Sequence, residues 1–183
     1  MDASKLNIKQ FFINQVGKLP IHKCYVNEFY EDAGLANVFI CRKHVTGKIT
    51  IGIFLIDLMC LGVKDVHFIF NEAEEDVLER IFGDGVIKEI DYNLAHNIVY
   101  AGYEYALELG INAHKDFSFV KYILEPDDDK IPLIDVKTGD KDGKPHLIVD
   151  NLLNYSHVIK MLIKTQGEGN FQIGIYANDK DED

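Results

Sequence analysis

The run Ile49-Thr-Ile-Gly-Ile-Phe-Leu-Ile-Asp-Leu-Met-Cys-Leu-Gly-Val-Lys-Asp65 is the longest apolar stretch of the chain, and it constrains the fold more than any other segment. In an extended conformation Ile49, Ile51, Ile53 and Leu55 fall on one face, and Phe54, Ile56 and Leu58 on the other. Apolar side chains on both parities predict a central strand covered on both sides. Residues 38–44 form a second β-rich run, and Val45-Thr46-Gly47 is a short connection of the kind that closes an antiparallel hairpin. Beyond Gly62, residues 63–70 alternate well enough for a further strand, with a helical turn over residues 58–61 as the alternative at the junction. One carboxylate, Asp57, stands inside this run, and a covered strand does not carry an acid without a reason.

The remaining elements read around that hairpin. Residues 4–16 have helical periodicity and stop at Gly17; residues 22–26 form a short extended segment, and Asn27 stands where it can cap a short helix over residues 28–33. Asn71-Glu-Ala-Glu74 opens a helix that ends near Gly83, and residues 84–90 read as a connector. Asp91 caps the best helix of the chain, residues 92–109, which Gly110 closes. Asp116 is placed to cap another helix over residues 117–124, stopped by Pro126. Residues 131–136 and 145–149 flank the turn-rich Thr138-Gly-Asp-Lys-Asp-Gly-Lys144 and predict a second hairpin. A helix starting at Asn151 or Asn154 and running to about residue 166, then a last strand over residues 171–176, complete the pattern. Hairpins with segregated helices predict an α+β fold with a mostly antiparallel sheet. A single domain is expected over residues 1–177, followed by a disordered acidic tail at 178–183.

With 19 basic against 30 acidic residues in 183, the formal charge is −11, which argues against a broad nucleic-acid footprint. The cluster Arg42-Lys43-His44 is too small to make one. Cys24, Cys41 and Cys60 show no paired spacing and sit in apolar surroundings, so reduced core thiols in a cytoplasmic protein are expected. The first residues carry no basic start followed by an apolar stretch, and the run around Ile49 is too short and too interrupted to cross a membrane.

The candidates for chemistry are few. Asp57, with Lys64 and Asp65 following in the next segment, would build a polar pocket where the strand leaves the sheet. The plainer expectation is that Asp57 accepts backbone N–H groups from the Leu61-Gly62 turn and fixes its shape. His96 shares a helix face with Val99, Tyr100, Tyr103 and Leu107, as a core histidine would, and His114 lies past the helix end beside Asp116. At 1.5 Å rise per residue, His96 and Gly110 are about 20 Å apart along the axis, so the two imidazoles do not share a metal unless the chain doubles back. Glu125-Pro-Asp127 with Asp135-Val-Lys137 superficially spells a metal-dependent nuclease, but Asp127 falls in an acidic loop. Asp140-Lys-Asp142-Gly143 lacks the distal glutamate of a Ca²⁺ loop and is better explained as a turn. No phosphate-cradling glycine motif, nucleophile elbow or Cys/His cluster is present.

Phe54-Leu-Ile-Asp-Leu-Met-Cys-Leu-Gly-Val-Lys-Asp65 resembles the hallmark of a bacterial family of uncharacterised proteins, in which (V/I)-D-x-x-C-L-G-V-K-(D/N) ends a strand after a hairpin. Ala95-His-Asn-Ile-Val-Tyr100, Glu104-Tyr-Ala106, Leu109-Gly110 and His114-Lys-Asp-Phe117 resemble its second block, and Gly143-Lys-Pro145 a third, so the likeness spans roughly residues 38–150. It implies Asp57, Cys60, Lys64, Asp65, His96, His114 and Asp116 as site candidates, and no established activity. Some similar proteins sit beside a small cysteine-rich zinc module, which this sequence does not contain.

These observations lead to one principal expectation: a non-enzymatic binding or accessory module, recognising a protein partner or a small ligand at the polar end of the central strand, without cofactor or metal. The alternative is a metal-dependent hydrolase or nuclease using Asp57 and Asp65 with a histidine.

Overall fold

A computed structural model describes residues 3–82, 86–128 and 130–175. The acidic tail at 178–183 lies outside the described residues, as do Gly83 and the first part of the connector after it. The fold is α+β. Strands β1 (Ile21–Asn27), β2 (Leu35–Lys43), β3 (Ile49–Asp57), β4 (Gly62–Glu72) and β5 (Ile87–Ile90) form one antiparallel sheet in the order β4-β3-β2-β1-β5. As its two apolar parities predict, β3 runs between two neighbours, paired from Leu35↔Asp57 to Lys43↔Ile49 with β2 and along β4 on its other side.

Both faces are covered. On one, Val38, Ile40, Phe54 and Ile56 pack against helices α4 (Tyr92–Glu108) and α5 (Phe117–Val120) through Ile98, Val99, Phe117 and Val120, and Phe12 of helix α1 (Ala3–Asn14) joins them. On the other, Phe39, Cys41, Ile49 and Ile51 pack against Val77 and Ile81 of helix α3 (Glu74–Phe82). Burying a side chain such as Phe54 completely contributes about 2–3 kcal/mol. A third cluster joins Cys60 and Leu61, from the β3–β4 turn, to Leu109, to strand β6 (His146–Val149) and to helix α6 (Ser156–Gln166).

The caps show which local signals prevailed. Asp91 accepts the Asn93 N–H at 2.7 Å and starts α4 where expected. Asn27 does not cap a helix. It ends β1, donates from Nδ2 to the Leu35 carbonyl and accepts the Asn37 N–H, so it fastens β1 to β2, and only residues Tyr30–Ala33 (α2) are helical after it. Asp116 also makes no side-chain cap, and the predicted helix over 117–124 is the short α5 followed by a 3₁₀ turn, Lys121–Ile123.

Two further expectations are corrected. Part of the predicted connector is strand β5, which pairs with β1 from Cys24↔Ile90 to Asn27↔Ile87. The second hairpin does not form: residues 131–136 hold no strand, and β6 pairs in parallel with β7 (Gln172–Ile175), which comes after α6. The would-be strand is fastened by a side chain, since Asn97 of α4 donates to the Pro132 carbonyl and accepts the Ile134 N–H. That satisfies backbone groups a strand partner would otherwise take. Among the described residues, no helix is long and apolar enough to cross a membrane.

Candidate functional site

The seven residues expected at a site separate into three places. The first is the β3–β4 turn. Asp57, 6% exposed, accepts the Met59 N–H at 3.0 Å and the Cys60 N–H at 2.9 Å through Oδ1, with a further contribution from Leu61 N–H. Burial pushes its carboxyl above the ordinary value, opposed by the Cys60 N–H, the Lys64 ammonium and the other two amides. The turn is pressed against α4. Gly62 has φ +64°, and a Cβ there would fall 2.5 Å from the Gly102 carbonyl oxygen, so only glycine closes it. Cys60 is fully buried, and burial beside Asp57 pushes its thiol up to about 12. A thiol so placed is a poor nucleophile. The hollow bounded by Gly34, Asp57, Met59 and Lys64 encloses about 20 Å³, roughly one water.

The second place is the rim of β4. His114 Nε2 lies 3.8 Å from Asp65 Oδ1, and His67 Nε2 lies 3.1 Å from Asp65 Oδ2. The His114 backbone N–H donates to the Val63 carbonyl, and the Asp116 N–H reaches His114 Nδ1 at 3.4 Å, which fixes the loop after α4 against the strand. Partial burial works upward on Asp65, but the Val66 N–H and the two imidazoles together hold its carboxyl below the ordinary value. Asp65 and His114 therefore meet, while Asp57 is turned into its own turn.

The third place is His96, 1% exposed on α4. Its Nε2 donates to the Glu125 carbonyl at 3.2 Å, because a carbonyl only accepts, and its ring lies 4.6 Å from that of Tyr100. Nδ1 lies 3.9 Å from Asp127. Asp127 also bonds Glu104, whose carboxyl is pushed above its ordinary value first by burial and then by the charge and hydrogen bond of Asp127. Asp127 is thus engaged with α4, whereas Asp135 and Lys137 line a different hollow with Tyr30 and Glu31. Among the described residues, no group of three or more His, Cys, Asp or Glu side chains is placed to hold a metal ion.

A fourth place escaped the sequence. Arg42, on the same face of β2 as Val38 and Ile40, is 2% exposed. Nε donates to the Ile123 carbonyl at 2.6 Å, and Nη1 donates to the carbonyls of Gly17, at 3.1 Å, and Leu19. Nη2 is buried without a hydrogen-bond partner, and among the described residues no carboxylate is in salt-bridge contact with the guanidinium. Burial pushes its pKa down, and Tyr92 and Glu125 work against that shift. Arg42 stands in the wall of a cavity of about 380 Å³, with Ile13, Gly17, Lys18, Tyr100, Lys121, Tyr122, Leu124 and Glu125 around it. A signal for it was present in the strand parity, where a cation follows Val38 and Ile40 at the position an apolar side chain should take.

No family model matches the chain, no curated protein matches it, and no solved structure matches it. The resemblance carried by the block around Asp57 gains no support from these comparisons, and any functional reading rests on the residues themselves.

Proposed function

We propose that the chain is a non-enzymatic module that binds a small ligand, seated in the cavity beside Arg42 rather than at the polar end of β3. One observation carries this. A guanidinium charge is buried there against three neutral carbonyls, with its last nitrogen unpaired, in the wall of the cavity. A buried charge without a direct ion pair is costly, Glu125 acting on it only through space, and we read that cost as the mark of a site that receives a ligand. The volume is within the range of small-molecule sites, whereas the hollow at Asp57 admits no ligand of that size. Three buried free thiols accord with a reducing, cytoplasmic setting.

A binding screen with amide mapping by NMR tests the reading. Small molecules that bind are expected to shift the amides of Gly17, Lys18, Tyr122 and Leu124. Shifts confined to Asp65, His67 and His114 would count against it. So would stabilisation by Mg²⁺, Mn²⁺ or Zn²⁺ that Asp57→Asn abolishes, which would favour the hydrolase.

A further inference from the structure

We infer that the ligand of the Arg42 cavity is a small organic dianion, a phosphate monoester or a dicarboxylate, with an aromatic or aliphatic body; this rests on the binding reading above. Among the residues lining the cavity, Arg42, Lys18 and Lys121 carry positive charge and Glu125 alone carries negative charge, which leaves two positive charges in excess. That excess stands inside a chain whose formal charge is −11. Neither lysine is committed elsewhere to a carboxylate among the described residues: Lys18 Nζ donates to the Gln15 amide oxygen at 3.2 Å, and Lys121 Nζ lies 6.0 Å from the centre of the Tyr122 ring.

The guanidinium is held for such a ligand. Its Nε and Nη1 hydrogens are taken by backbone carbonyls, so the group cannot swing toward solvent, and Nη2 is itself buried, so the guanidinium acts on the cavity as a fixed charge within its wall. It therefore does not present the two-nitrogen fork that grips a carboxylate directly. The two lysines, which act as mobile point charges, supply the direct contacts. Ile13, Leu124, Tyr100 and Tyr122 form apolar and aromatic wall, which suits a ligand with a hydrocarbon body better than free inorganic phosphate.

The chain contains no tryptophan, so Tyr122→Trp, at a half-exposed position of the wall, gives a unique fluorophore for titration of the full chain. Phenyl phosphate and phthalate are expected to change the indole emission saturably, and benzyl alcohol to do so only weakly. The ranking of the first two distinguishes the phosphate from the dicarboxylate source. Lys18→Ala and Lys121→Ala, neither at a buried position, should each weaken the better dianion by about fivefold. Raising the salt from 0.05 to about 0.5 M should weaken it further, as screening requires. Benzyl alcohol binding as tightly as the dianions, or affinity indifferent to salt and to both lysines, overturns the dianion and leaves the cavity as the seat. No response to either dianion, while other compounds shift the cavity amides, does the same. Failure of every compound to shift those amides overturns the seat itself.

Discussion

Asp57 and Arg42 are both charged, both almost wholly buried, and both sit near the end of a strand of the central hairpin, yet they are held in opposite ways. Asp57 takes its partners from the next few residues: the Met59 and Cys60 amides lie two and three positions on, and the Lys64 ammonium acts on its charge. Arg42 reaches carbonyls 23, 25 and 81 positions away and still keeps a nitrogen unpaired. The first charge organises its own turn and is finished when the turn closes. The second gathers the end of α1's connection, the 3₁₀ turn before Leu124 and the sheet around itself, and remains incomplete. A self-contained buried charge is structural; a buried charge that gathers distant segments without a direct ion pair is, on the reading proposed above, what sets a fixed positive charge beside the cavity.

Removing the two charges gives the largest expected effects. Arg42→Leu leaves three carbonyls without their donor, and we expect it to cost about 3–5 kcal/mol, measured by urea denaturation. Asp57→Ala orphans amides of one tight turn and should cost about 2 kcal/mol. Arg42→Lys, which keeps the charge on a single nitrogen, should fall between the wild type and Arg42→Leu. If Asp57→Ala proves the more damaging, the contrast between the two charges fails.

A glycine links Arg42 to its distant partner. Gly52 lies opposite Ile40 in the β2–β3 register, and a Cβ there would fall 2.8 Å from Cγ2 of Ile123 and 3.0 Å from the Phe54 ring. The missing side chain lets the 3₁₀ turn Lys121–Ile123 approach the sheet closely enough for its last carbonyl to accept Arg42 Nε. Gly52→Ala should therefore cost about 1–3 kcal/mol through overpacking. Because it displaces an acceptor of Arg42, its effect should be partly lost in an Arg42→Leu background. A double-mutant cycle is expected to show coupling of about 0.5 kcal/mol or more. Strict additivity would mean that Ile123 adjusts its side chain without moving its carbonyl.

Legibility in the sequence divides along the same line between near and far. The hairpin of β2 and β3, the continuation into β4 and the start of α4 at Asp91 rest on local periodicity and short turns, and they stand where the pattern placed them. The turn at Asp57 belongs with them, since the acid and its amides are neighbours in the chain. The failures are long-range. β6 pairs with β7 across the whole of α6, and nothing in residues 145–149 marks that choice over the nearer segment at 131–136. Asn97 takes the backbone groups of that nearer segment from 35 and 37 residues away, which no local pattern encodes. β5 is short, with Lys88 and Glu89 at its centre, and gains strand character only by pairing with β1 at the sheet edge. At the candidate site, the strand parity marked Arg42 as misplaced, but its three carbonyl partners and the cavity exist only once α1 and the Lys121–Ile123 turn meet.

The smallest expected effect is a dependence on pH that separates two acids of the same turn region. Burial raises the folded-state pKa of Asp57 above its ordinary value, so between those two values the folded protein holds more protons than the unfolded chain. Wild-type stability from this group is present at low pH and declines as pH rises through that window, whereas asparagine does not titrate. The deficit of Asp57→Asn, about 1 kcal/mol, should therefore be largest in acid and shrink toward neutrality. Asp65 behaves in the opposite sense. Its carboxyl is held below the ordinary value, so its contribution is present above that value and is lost as pH falls through the folded-state value. The deficit of Asp65→Asn, at an accessible ion pair and thus within about 1 kcal/mol, should grow as pH rises toward neutrality. Urea midpoints measured from pH 3 to about 7 on both variants test the two slopes against each other. A deficit for Asp57→Asn that widens with pH would mean that the amides of Met59 and Cys60, with Lys64, outweigh burial. The turn would then hold a carboxylate as firmly as the rim does, and the distinction between a sealed acid and an accessible one would rest on geometry alone.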